Sequence, residues 1–199
     1  MTSEGPLHGR ADQMARSLRR TLRSRGVAED DAEVVERVYG LAMTPRVAAL
    51  DDDHHPAYLH PGRSVLILLQ DVGVVDPTVL VVAALHESVD ADLAVAEELI
   101  AEAVEPSALE ALASIPLPGD EQLVERLVTL EPGVGLAALS ERLDQLRHLH
   151  LRPDLGDLWA AAHAEVSHAW LPFAQRTHLQ VARRYAHWTR TFARRLTRS

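Results

Sequence analysis

The stretch "DPTVLVVAALHESVDAD", residues 76–92, decides the fold class. Asp76 before Pro77 is a typical helix start, because an aspartate caps free backbone N–H groups and proline fits the first helical position. An uninterrupted apolar segment follows, so a core helix is predicted to run to about Val89. His86 and Glu87 lie near its end, where a buried carboxylate is costly unless it is paired or bound to a metal.

Helical spacing of apolar residues extends over nearly the whole chain, and no period-two pattern competes with it. The fold class is therefore predicted to be all-α, an irregular helical bundle. The predicted helices cover residues 10–23, 29–43, 61–69, 76–89, 92–103, 108–114, 120–129, 136–150, 158–170 and 173–196.

Proline and glycine set three of the predicted boundaries. Pro45 is expected to end the second helix, since proline removes a backbone donor. The stretch "EPGVG", residues 131–135, is predicted to be a turn. Pro172 is expected to separate the last two helices.

Composition favours a cytoplasmic globular protein. The chain has 199 residues and is 47% hydrophobic, which suits one domain, or one domain with an arm. No apolar run reaches the roughly 18 residues of a membrane span, and the N-terminus has no apolar signal segment. There is no cysteine, which excludes disulfides, zinc-thiolate sites and a cysteine nucleophile.

Charge divides the chain unevenly. The net charge is -9 and all twenty basic residues are arginine. Residues 1–26 carry net +4 and are predicted to form an Arg-rich helical arm before a domain of residues 27–199. Residues 147–199 carry net +6. Nucleic-acid binding by these basic ends ranks last, because aromatic residues for base stacking are scarce.

Four residues could hold a divalent ion: His60, His86, Glu87 and Glu141. Two imidazoles and two carboxylates suit an ion used for hydrolysis. Spacing alone leaves this open, because the chain has 11 His and 29 acidic residues. Each residue could instead be a paired core or surface residue.

A longer sequence pattern supports the hypothesis that these four residues hold a metal ion. The segment "YLHPGRSVLILLQDVGVVDPTVLVVAALHESVDAD", residues 58–92, resembles the HD superfamily, specifically the hydrolase domain of RelA/SpoT-type alarmone enzymes and small alarmone hydrolases. "LSERLDQLRHL", residues 139–149, resembles the family's A-D-R-L-x-N-L-R-x-L helix. "EVSHAWLPFAQRTHL", residues 165–179, resembles the segment that follows it. The resemblance implies an HD-like all-α fold.

The resemblance also implies a chemistry. His60, His86, Glu87 and Glu141 fall on the family's metal ligands, with glutamate in place of both aspartates. Asp90 falls on the first of two acidic residues near the attacking water; the second position is an alanine, with Asp92 beside it. The family carries a basic stretch before the first ligand, whereas this chain has "DDDHH", residues 51–55, which would repel a phosphorylated substrate.

Two functions remain open. The first is a Mn²⁺-dependent phosphohydrolase related to guanosine tetra- and pentaphosphate 3′-pyrophosphohydrolases, acting on a nucleotide or phosphoester. In it Asp90 and Asp92 are the candidates for orienting the water. The alternative is a catalytically inactive HD-fold protein that binds or regulates, whose basic final helix could dock a partner or a second copy of the chain.

Overall fold

A computed structural model describes residues 9–151 and 158–196, with side chains described up to residue 193. These residues form helices and connecting turns without a strand, which confirms the all-α prediction. The helices are α1 Arg10–Ser24, α2 Glu29–Ala49, α3 His60–Leu66, α4 Pro77–Leu85, α5 Glu97–Ala103, α6 Pro106–Ser114, α7 Leu123–Thr129, α8 Pro132–His148, α9 Leu158–Glu165, α10 Leu171–Thr177 and α11 Leu179–Leu196. Wide π-helical turns extend α3 over Ile67–Val72 and join α9 to α10 over Val166–Trp170.

Helix α4 lies at the centre of the bundle. It packs against α2, α3 and α8, and every residue from Val79 to Leu85 is buried. Such a helix is apolar all round because it has no solvent face. Asp76 Oδ1 accepts hydrogen bonds from the backbone N–H groups of Thr78 and Val79, as its position before Pro77 predicts.

The predicted end of α4 is wrong. The helix ends at Leu85, and His86 already has extended backbone dihedrals. Glu87 Oε1 then accepts hydrogen bonds from the N–H groups of Val89 at 3.0 Å and Asp90 at 3.3 Å. A local turn held by a side chain therefore replaces the last helical turn. Near helix ends, polar side chains commonly bond to backbone N–H groups in place of helical hydrogen bonds.

Proline does not end α2, contrary to the sequence prediction. The helix continues through Pro45 to Ala49. Arg46, only 2% exposed, follows the proline and donates to the carbonyl of Ala42 one turn earlier. Buried tertiary contacts of this arginine hold the helix together where the proline removes one backbone donor.

The other two proline predictions also fail. Residues 131–135 start α8, because Glu131 caps the N–H groups of Gly133 and Val134 and Pro132 takes the first helical position. Pro172 lies at the start of α10 without separating it from the preceding turn. The chain bends instead at His178, whose backbone is extended.

Helix α1 belongs to the same core as the rest of the bundle. Its residues Ala11, Leu18 and Leu22 are buried, and it packs on α2 and α3. The predicted arm comprised residues 1–26, of which residues 1–8 lie outside the described part. The aromatic residues of α11, Tyr185, Trp188 and Phe192, are buried as well.

Hydropathy of the described helices gives no membrane candidate, since none of them is long and apolar enough to cross a bilayer.

The contact between α8 and α10 is tight enough to test. A Cβ at Gly135 would lie 2.8 Å from Cζ of the buried Phe173. We expect Gly135→Ala to lower the free energy of unfolding by about 1–3 kcal/mol, the usual cost of overpacking a core. Gly40→Ala is the matched control, because a Cβ there meets nothing within 4 Å and should stabilise α2 by about 0.5–1 kcal/mol. Urea denaturation measures both, and an unchanged Gly135→Ala midpoint would contradict the packing.

Candidate active site

Helix packing brings three of the four predicted ligands together. His60 is the first residue of α3, His86 follows the last residue of α4, and Glu141 lies in the middle of α8. The three helices pack against one another. All three residues are at most 8% exposed.

Glu141 is the centre of this group. His60 Nε2 lies 3.4 Å from Glu141 Oε1, and His86 Nδ1 lies 3.7 Å from Glu141 Oε2. Both imidazole nitrogens are buried and have no hydrogen-bond partner. Buried polar atoms are rarely left without a partner, so these two call for an explanation.

Two neutral side chains hold Glu141 in place. Ser88 Oγ donates to Glu141 Oε1 at 2.7 Å, and the Gln145 amide donates to the same oxygen. Burial alone would raise the pKa of Glu141, but the neighbouring rings of His60 and His86 outweigh it and hold the pKa well below its usual range. Glu141 is therefore a carboxylate at neutral pH.

Asp144 is a further residue of this group, and the sequence prediction missed it. Its Oδ2 lies 2.8 Å from His60 Nδ1, and Arg63 donates to both of its oxygens. Burial lowers the pKa of His60, but the neighbouring carboxylates of Asp144 and Glu141 outweigh it and raise that pKa to about 9. Its signal in the sequence was its place three residues after Glu141, on the same face of α8.

Glu87 points away from this group. Its Oε2 accepts a 2.5 Å hydrogen bond from Arg46, and both side chains are nearly inaccessible, at 2% for Arg46 and 4% for Glu87. Its Oε1 caps the turn at Val89 and Asp90. Both carboxylate oxygens are therefore already engaged by the protein.

The two predicted water-orienting acids are placed differently. Asp90 lines the cavity above the site, and its Oδ1 accepts from the N–H of Asp92. Asp92 itself is exposed and does not line the cavity. Of the two, only Asp90 is in a position to face a bound substrate.

The cavity above His60 has a volume of about 660 Å³, enough for a nucleotide. The acidic residues Asp51, Asp52 and Asp53 are not among its lining residues. Of the neighbouring histidines, His55 lines the cavity and His54 does not. Its charged and titratable lining comprises His55, His60, Arg63, Glu87, Asp90, Arg142, Asp144, His148 and Glu165.

Arg142 is the most deeply placed cation of the cavity wall. Its Nη2 donates to Glu165 Oε1 at 2.9 Å and its Nη1 donates to Gln145 at 3.2 Å. Its Nε is buried without a partner. Glu165 also accepts from the indole N–H of Trp170, which fixes this wall to the bundle.

The charge of the site is negative. Five carboxylates lie in the cavity or directly beneath it, against three guanidinium groups and the His60 imidazolium, which leaves one negative charge at neutral pH. The carboxylates are Glu87, Asp90, Glu141, Asp144 and Glu165, and the guanidinium groups are Arg46, Arg63 and Arg142. A divalent cation that takes the place of the His60 proton would neutralise the site.

The fit of a metal ion differs among the four predicted ligands. His60, His86 and Glu141 fit, because each offers a donor atom that metals bind and because both histidine nitrogens lack a partner. Two donors of one tetrahedral ion, each about 2.1 Å from it, lie roughly 3.4 Å apart, which is close to the two nitrogen–oxygen distances of 3.4 and 3.7 Å. Glu87 does not fit. As the side chains stand, no three or more His, Asp or Glu residues within 9–151 and 158–196 are grouped to hold an ion. His60 and His86 approach opposite oxygens of Glu141, so sharing one ion requires a side-chain rotation.

Comparison of the chain with models of protein families, with curated proteins and with solved structures finds no match in any of the three.

Proposed function

We propose that the protein is a divalent-metal-dependent phosphohydrolase that acts on a nucleotide or another phosphoester in the cavity above His60. The observation that carries the proposal is the pair of buried, unpartnered nitrogens of His60 and His86, both directed at Glu141. Two histidines and one carboxylate form a common catalytic metal set that leaves a position for water.

Each residue has a role in this account. His60, His86 and Glu141 would hold Mn²⁺ or a similar ion, which lowers the pKa of bound water and polarises a phosphoryl oxygen. Asp144 orients the His60 ring through Nδ1, as carboxylates do beside many metal-binding histidines. Asp90, which lines the cavity, would accept the proton that the attacking water loses.

The cavity wall suits a phosphorylated substrate. Arg63 and Arg142 line the cavity, and their cationic side chains are held there by bonds to Asp144 and Glu165. A single guanidinium group can donate two parallel hydrogen bonds to the oxygens of one phosphate. Because residues 58–92, 139–149 and 165–179 resemble segments of alarmone hydrolases, guanosine tetraphosphate is the first substrate to test.

A second candidate is a catalytically inactive binding protein. It is favoured by the Arg46–Glu87 ion pair, in which a guanidinium takes the place that an ion would need at Glu87. The cavity would then bind a small molecule without hydrolysing it, and the basic face of α11 would take an acidic partner or a second copy of the chain.

Turnover of a substrate panel separates the two candidates. With Mn²⁺, we expect hydrolysis of at least one nucleotide or phosphoester, and a loss of roughly 100-fold or more in His86→Ala. His148→Ala is the control, because His148 lines the same cavity without facing Glu141. Hydrolysis that is equal in wild type and His86→Ala, or absent for all substrates, would contradict the phosphohydrolase.

A further inference from the structure

A second cavity of about 540 Å³ lies between the end of α8, α9 and α11. Leu146 of α8 lines both cavities. No role in the proposed hydrolysis uses this second cavity.

The cationic residues of this cavity are not balanced by acids. Arg147, Arg183 and Arg184 line it, and no carboxylate does so among the residues that the structure describes. Arg184 pairs with Asp71, which does not line the cavity. The cavity therefore carries a positive charge that an anionic ligand would compensate.

Arg147 is the residue that most needs such a ligand. It is half-buried, and its guanidinium makes no hydrogen bond or ion pair within the described part of the chain. Burial lowers its pKa and the charge of Arg184 lowers it further, whereas the charges of Asp71 and Asp144 act in the opposite direction. An anion bound between Arg147 and Arg184 would stabilise both charges.

Aromatic rings form another part of the wall. Trp188 and Phe192 are stacked with ring centroids 4.2 Å apart, and the Trp159 ring also contacts Phe192, at a tilt of 41°. The Trp188 indole is fixed by a 2.8 Å hydrogen bond to the carbonyl of Leu146. Rigid indole faces beside guanidinium groups bind planar, anionic molecules, because a base stacks on the ring while the phosphate meets the cations.

We infer that the second cavity is a binding site for a nucleoside phosphate, with the base against Trp159 and Trp188 and the phosphate on Arg147 and Arg183. This inference does not depend on the proposed hydrolysis. The site is distinct from the cavity above His60, and it needs no metal ion.

Tryptophan fluorescence tests the inference directly, because Trp159 and Trp188 lie in the cavity. ADP is titrated into the full chain in the presence of EDTA, with adenosine and pyrophosphate as probes that lack the phosphate or the base. We expect saturable quenching by ADP, and binding at least about 10-fold weaker for either fragment. Loss of the signal in Trp159→Phe assigns it to this cavity.

Matched variants give the deciding comparison. Arg147→Gln should weaken ADP binding by about 10-fold or more, the loss of one charged hydrogen bond. Arg190→Gln, on the exposed face of α11 outside the cavity, should bind like wild type. Both variants are checked for an unchanged thermal midpoint. His86→Ala should also bind like wild type, which separates this site from the proposed hydrolase.

Three results would overturn the inference. Equal ADP affinity in wild type and Arg147→Gln would exclude the arginine as a ligand. Pyrophosphate that binds as tightly as ADP would leave only a simple anion site. An absence of saturable quenching would mean that the cavity takes no nucleoside phosphate.

Discussion

Replacing Arg46 with alanine is expected to lower the free energy of unfolding by about 3–5 kcal/mol, the usual cost of leaving a buried charge unpaired. The variant would leave the Glu87 carboxylate buried without its cation. It would also remove the donor to the carbonyls of Ala42, Ala57 and Leu93, through which Arg46 ties α2 to the turn after α4.

The test of this ion pair is a urea denaturation series. The double variant Arg46→Met with Glu87→Leu is the control, because it removes both charges and should recover much of the loss. A loss below about 1 kcal/mol in Arg46→Ala would mean that Glu87 reaches water or another cation, since exposed pairs contribute little.

Stability is expected to fall at alkaline pH because of His60. Its folded pKa of about 9 lies above the ordinary histidine value of 6.5, so the folded state binds this proton more tightly than the unfolded state. The resulting stabilisation is complete below pH 6.5 and is lost as pH rises through 9. The difference amounts to about 3 kcal/mol, at 1.36 kcal/mol for each pKa unit.

Chemical denaturation of EDTA-treated protein between pH 6 and pH 9.5 measures this dependence. His60→Gln should have a much flatter profile over that range. The carboxylates act in the opposite direction: the pKa values of Glu141 and Asp144 are lowered, so their stabilisation is lost as pH falls through the acid range. A wild-type profile as flat as that of His60→Gln would contradict the buried His60–Asp144 contact.

The fold class could be predicted from the sequence because apolar spacing is a local property. Asp76–Pro77 predicts the start of α4 from two residues, and the structure confirms it. The failures at Pro45 and His86 have a different cause. At Pro45, long-range contacts of the buried Arg46 override local propensity. At His86, the side chain of Glu87 accepts from nearby backbone N–H groups and replaces the last helical turn, which apolar spacing does not encode.

The candidate site was only partly accessible to sequence reasoning. The pattern assigned His60, His86 and Glu141 to one site, and helix packing places them together. It also assigned Glu87, whose partner Arg46 is 41 residues away in sequence. Asp144 was missed because its contact with His60 spans 84 residues and depends on how α3 packs on α8.

Bound manganese per chain tests the central claim most directly. Wild type, His86→Ala and Glu87→Gln are saturated with Mn²⁺, desalted and analysed for metal. A site formed by His60, His86 and Glu141 predicts about one Mn²⁺ in wild type, almost none in His86→Ala, and about one in Glu87→Gln. Loss of metal in Glu87→Gln would show that Glu87 is a ligand after all, and a wild type that binds no manganese would contradict the metal site altogether.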